Sequence, residues 1–222
     1  MAWVEFGVVV CLFLLSHALP VRPPLRPWLV ARLGAQGFTL AYSVLSLALL
    51  AWLIAAAGRA PFVLLWDQAS WQRHLPILAM LPACLILGLA LARPNPFSFG
   101  GTSSAALDPA HPGIIRWMRH PLLVALAIWV GAHLVANGDL AHVLLFGLFL
   151  IFALMGMRMI DRRRRREMGA RWQAQVVAMA AGSIWPRPVN QGKAMLRLCL
   201  GLGLYALLLM LHAAVIGASP WP

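Results

Sequence analysis

Seven histidines, six carboxylates and three cysteines are the residues of this 222-residue chain whose chemistry reaches beyond packing. Cys11, Cys84 and Cys199 lie singly in apolar runs, with neither a C-x-x-C pair nor the C-x-x-C-H of covalent haem attachment. The carboxylates are scattered, which removes a paired-carboxylate acid/base centre. No Walker A, G-x-G-x-x-G, G-x-S-x-G or H-E-x-x-H motif occurs, so the usual soluble-enzyme signatures are missing. Histidine remains, and its chemistry here is metal or haem ligation, proton transfer or a buried hydrogen bond. In the stretch RHPLLVALAIWVGAHLVANGD, residues 119–139, His120 and His133 stand at the two ends of an apolar segment. Thirteen helical positions turn by about 220° and rise about 20 Å, so these two cannot clamp one metal ion between them. Each needs a partner from another helix. His17, in CLFLLSHALP, is placed to supply one. Two imidazoles from two helices, inside an apolar bundle and without a Cys attachment motif, are what non-covalent haem b requires. A second grouping, His133, Asp139, His142 and His74, is compatible with a metal, but its spacing is not diagnostic.

The elements that must carry these side chains belong to a membrane protein. Hydrophobic residues make up 62% of the chain and charged ones 11%, a composition that excludes most soluble folds. A helix needs about 20 apolar residues to cross ~30 Å of hydrocarbon. Six segments qualify or nearly so: 3–19, 38–57, 76–92, 121–136, 140–160 and 195–217. The fourth, at 16 residues, covers only ~24 Å and calls for a thinned bilayer. The first begins with Glu5 and no basic residue, so it reads as a retained helix and not a cleaved leader. The 172–186 stretch, with Trp at 172 and 185, is too short and polar to span and reads as an interfacial helix.

Threading six spans places sixteen Lys and Arg residues on one side and only Arg59 and Arg73 on the other. The positive-inside rule makes the crowded side cytoplasmic, with both termini facing outward. The net charge of +12 is therefore topological, and nucleic acid is not an expected partner. The run DRRRRRE, 161–167, reads as a topogenic stop beside lipid headgroups. A long connection, 93–118, is rich in Pro, Gly and Ser; it reads as successive turns that need either a function or a packing partner. His120 before Pro121 reads as the start of the fourth helix, and Asn137-Gly138-Asp139 as the turn that ends it. Tyr42, Ser43 and Ser46 supply hydroxyls on the second span, which read as helix packing.

The stretches SHALPVRPPLR, LGAQGFTLAYSVLSLALLAWL, NPFSFGG, GIIRWMRHPLLVALAIWVGAHLVANGDLAHVLLFG and DRRRRREMGARW, in that order, resemble the NnrU family of bacterial membrane proteins, which shares a domain with plant zeta-carotene isomerase. The resemblance is clearest over 5–172 and implies one integral membrane domain, 1–222. It implies a role in denitrification, in nitrite and nitric oxide reduction, with components of a denitrification reductase as partners. Through the isomerase it implies haem b held by His17 and His133, with His120 of the RHP motif as a further cofactor-binding candidate. Where the isomerase has a Cys one turn before the second ligand, Val130 stands here. The resemblance leaves two alternatives open: a non-enzymatic accessory or metal-handling factor for a membrane reductase, and a 15-cis-zeta-carotene isomerase-like activity.

Overall fold

The computed structural model describes residues 1–99, 107–185 and 187–221. Among them the chain is all-α: α1 (Ala2–Ala18), α2 (Leu25–Arg59), α3 (Ser70–Ala90), α4 (Pro121–Ala136), α5 (Leu140–Met168), α6 (Ala170–Ala181) and α7 (Gln191–Ile216), with a 3-10 turn at Gly113–Arg116 before α4. An isolated bridge pairs Leu64 with Asp139. Four helices are long and apolar enough to cross a membrane: α2, α3, α5 and α7. The apolar α1 and α4 are shorter, at 17 and 16 residues. The most apolar stretch of α7 is only 6% buried by protein, so its surface is suited to lipid and would be costly in water.

The helices form two compact units, residues 1–66 with 138–145, and 67–137 with 146–221 of the described chain. In the first, α1 packs on α2 through Phe6, Val9 and Phe13. The 35-residue α2 is longer than the 38–57 span because it begins earlier and breaks at Gly34. At φ +72° and ψ 164°, Gly34 adopts a conformation that a Cβ would disfavour. The 25 residues after it, about 37 Å of helix, suffice for a crossing. Glu5 ties the start of α1 to the end of α2, accepting from Arg59 at 2.6 Å and from Trp52 Nε1 at 3.0 Å. The turn before α5 joins this unit: the N–H groups of Leu65 and Trp66 donate to Gly138 O at 2.7 and 3.2 Å. A Cβ on Gly138 would collide with the Trp66 carbonyl, which explains the glycine of the Asn-Gly-Asp turn.

In the second unit α3 packs on both α4 and α7. Small residues permit the α3–α7 approach: a Cβ on Gly88 would lie 2.8 Å from Gly201 N, and one on Gly201 2.8 Å from Cys84 O. Close backbone approach of this kind is how membrane helices gain dispersion contact where lipid supplies no hydrophobic drive. Tyr205 adds a hydrogen bond to Ile77 O, and Arg197 donates to Leu91 O at 2.9 Å. The end of α3 therefore lies beside the start of α7. At this end the connection after α3 folds back as packing: Phe97, Ile114 and Ile115 are buried with Ala90 and with Trp172 and Met179 of α6. Phe97 meets the Trp172 ring edge-on at 4.9 Å. The long Pro- and Gly-rich connection thus has its packing partner, and α6 buries one face against it while exposing Val177 on another. The polybasic run continues α5 as helix to Met168.

Candidate functional site

The histidines of interest occupy separate environments, each set by its own helix. His17 lies in the last turn of α1, half-buried. Its Nδ1 donates to Phe13 O at 2.8 Å, with Ser16 Oγ 3.1 Å away. Its ring stacks on Phe13 at 4.1 Å and meets Tyr42 of α2 edge-on at 5.7 Å. His133 lies in the last turn of α4 and repeats the arrangement: Nδ1 donates to Trp129 O at 2.8 Å. Trp129 and Phe146 flank its ring at 5.8 and 5.3 Å. A carbonyl can only accept, so Nδ1 carries a proton in both rings. An Nδ1–H donated to a backbone carbonyl is also the orienting bond found behind metal-bound histidines. His74 and His212 make similar bonds, to Ser70 O and Ala218 O, but His74 is exposed.

His120 is different. It occupies the N-cap position of α4 with Pro121 next, as the His-Pro pair suggests, yet the residue is only 4% exposed. Both ring nitrogens are engaged: Nε2 with Asp161 Oδ1 at 2.8 Å and Nδ1 with Ser98 Oγ at 2.9 Å. A carboxylate accepts, so Nε2 carries the proton and Nδ1 accepts from the Ser98 hydroxyl. Asp161 also binds Arg119, whose Nη2 lies 2.6 Å from Oδ2. Asn95 completes the array, donating to Arg119 O at 2.9 Å and accepting from Phe97 N at 3.0 Å. Burial pulls the basicity of His120 below the usual histidine range, and Asp161 only partly opposes this. The imidazole is therefore neutral at neutral pH.

A carboxylate–imidazole–hydroxyl chain is also the arrangement of nucleophilic hydrolases. Here Ser98 is 3% exposed, and the neighbouring void of about 10 Å³ has room for one water and no substrate. The array instead fastens the 93–99 connection, the start of α4 and the end of α5 to one another. Asp161, Ser98 and Asn95 were not singled out by sequence reasoning. Asp161 stands at the head of five arginines, where it reads as part of a charged helix end; its partners lie 41 and 42 residues earlier.

His120 and His133 stand at opposite ends of the continuous α4, consistent with separate roles. Asp139 and His142 do come together, with Nδ1 2.8 Å from the carboxylate at the start of α5. No group of three or more His, Cys, Asp or Glu side chains gathers for a metal ion among the described residues.

The sequence model of one protein family, described as NnrU protein, matches residues 5–220. Comparison with curated proteins and with solved structures finds no match. The family match extends through α7, beyond the 5–172 stretch in which the sequence motifs are clearest.

Proposed function

The chain belongs to the NnrU family, and from that premise we propose that it is a six-span inner-membrane protein that binds haem b through His17 and His133 and serves denitrification, in nitrite and nitric oxide reduction. The observation that carries the haem reading is the orienting bond these two histidines share. Each lies within an apolar helix, and each donates Nδ1–H to the carbonyl four residues earlier, which fixes its ring. Flanking rings fit a flat macrocycle: Phe13 and Tyr42 at His17, Trp129 and Phe146 at His133. His120 fits less well, because ligation would cost it the bond to Asp161 or to Ser98. When bound, haem would supply one-electron chemistry or a site for nitric oxide. The chain's own part is to fix the two imidazoles and exclude water around them.

In this reading α1 and α4 are the first and fourth of six spans, short because the bilayer thins around them, and the Arg-rich end is cytoplasmic with both termini periplasmic. One domain, 1–222, accommodates both compact units, and components of a denitrification reductase are its partners.

The test is the visible spectrum of the purified full chain and of His17→Ala and His133→Ala. Loss or displacement of the Soret band in both variants supports the assignment. A wild-type Soret band left unchanged by both removes it.

A further inference from the structure

At the end of the second unit where α3 and α5 finish and α4 and α7 begin, a cleft of about 350 Å³ opens between the 110–112 and 179–187 segments. Its lining includes His111, Pro112, Met179, Ser183, Trp185 and Arg187. The volume lies in the range of small-molecule sites.

Hydrogen bonds between the segments build the cleft. The Arg116 guanidinium donates to Met179 O and, at 2.7 Å, to Gly182 O. These are carbonyls at the C-terminal end of α6, where a cation is favoured and acceptors lack intrahelical donors. Trp117 Nε1 donates to Ile184 O at 2.7 Å, and the Trp117 and Trp185 rings meet edge-on at 5.5 Å. Arg116 is thus committed to the wall, whereas Arg187 and His111 line the cavity. His111 has one carboxylate partner, Asp108 at 2.8 Å. The other two acids at this end are committed elsewhere, Asp161 to Arg119 and His120, and Glu167 to Arg163 and Arg164. Between Arg93 and Arg197 the sequence carries 13 of its 18 lysines and arginines, so the surrounding field is positive.

The rim is apolar. Trp185, Ile184 and Trp117 are 76%, 67% and 49% exposed, a patch that water disfavours. A small soluble anion would account for the charge and leave this rim unexplained. An amphiphile with an anionic head accounts for both, because Trp settles at the boundary between headgroups and acyl chains.

We propose that this cleft is a binding site for the headgroup of an anionic glycerophospholipid. The phosphate meets Arg187 and His111, and the glycerol ester region lies against Trp185, Pro112 and Met179. The site is specific, unlike the diffuse attraction of the arginine run on α5.

The test uses the full chain in mild detergent, with retained lipid counted by native mass spectrometry. Phosphatidylglycerol, phosphatidylcholine and inorganic phosphate are the probes, and Arg187→Gln, His111→Gln and Arg166→Gln the variants. Phosphatidylglycerol retained at least tenfold over phosphatidylcholine, lowered about fivefold by Arg187→Gln, follows from ~1 kcal/mol per basic residue at an anionic headgroup. His111→Gln should also weaken retention, while Arg166→Gln, which removes the same charge from the exposed run, should leave it within about twofold. Equal retention of the two lipids overturns the proposal. So does an equal loss in Arg166→Gln, which would mean diffuse attraction, or displacement of lipid by millimolar phosphate, which would mean a soluble-anion site. Each variant's melting temperature separates loss of binding from loss of fold.

Discussion

Replacing Asp161 removes the acceptor that joins α4 to α5, and the structure sets the cost. Its carboxylate is 15% exposed and takes one bond from His120, which is 5% exposed, and a pair from Arg119, which is 38% exposed. A buried hydrogen bond to a charged group contributes about 1.5–3 kcal/mol. The Arg119 pair is open to solvent on the arginine side and is worth about 1 kcal/mol at most. Asp161→Asn keeps an acceptor for His120 Nε2 but halves that bond and loses the ion pair, giving a loss of about 2 kcal/mol. Asp161→Ala also leaves the imidazole N–H buried without an acceptor, and costs about 3–4 kcal/mol. The assay is equilibrium unfolding of the full chain in mixed micelles, arranged as a double-mutant cycle with His120→Ala. A coupling energy of about 1.5–3 kcal/mol is expected, since the two side chains meet directly. Costs below about 0.5 kcal/mol, or strict additivity, would refute the view that this array holds the unit together.

Because burial depresses the basicity of His120, the unfolded chain takes up a proton that the folded ring resists; stability should fall as pH drops below about 6.5, the ordinary histidine value. His120→Gln should flatten that slope in melting curves taken from pH 7.5 to 5.5. Gly88→Ala places a Cβ against backbone atoms of α7 that cannot swing aside, and should cost about 1–3 kcal/mol. Gly203→Ala, in the same helix pair but with open space around it, should be near neutral in the same unfolding assay. Asn190 caps α7 by accepting from Lys193 N at 2.8 Å, so Asn190→Ala should lose about 1 kcal/mol.

Local rules make the helical architecture legible in the sequence. Long apolar runs marked α2, α3, α5 and α7, and His120-Pro121 and Asn137-Gly138-Asp139 bounded α4 where they were expected to. The break at Gly34 was not foreseen, because a glycine inside an apolar run signals freedom without saying that φ will be positive. Contacts between distant parts of the chain were hidden for a different reason. Phe97, Ile114 and Ile115 sit in a stretch whose prolines and glycines announce turns, and nothing in their spacing shows that Trp172 and Met179 will cover them. Asp161 illustrates the limit best. Its neighbours in sequence are arginines, whereas its partner is a histidine 41 residues away, and burial of that pair depends on three segments meeting. The Nδ1 bonds of His17 and His133 follow from helical spacing alone, since the carbonyl at i−4 lies within reach of a histidine in a last turn.

The central claim is that this membrane bundle holds haem b on histidine. The most direct measurement is a pyridine haemochrome assay on the full chain, purified in mild detergent from haem-replete cells, with haem quantified against protein. The account predicts a b-type spectrum near one haem per chain that falls in His17→Ala and His133→Ala while the melting temperature stays close to wild type. A folded preparation that carries no haem, or retains it fully in both variants, would contradict it.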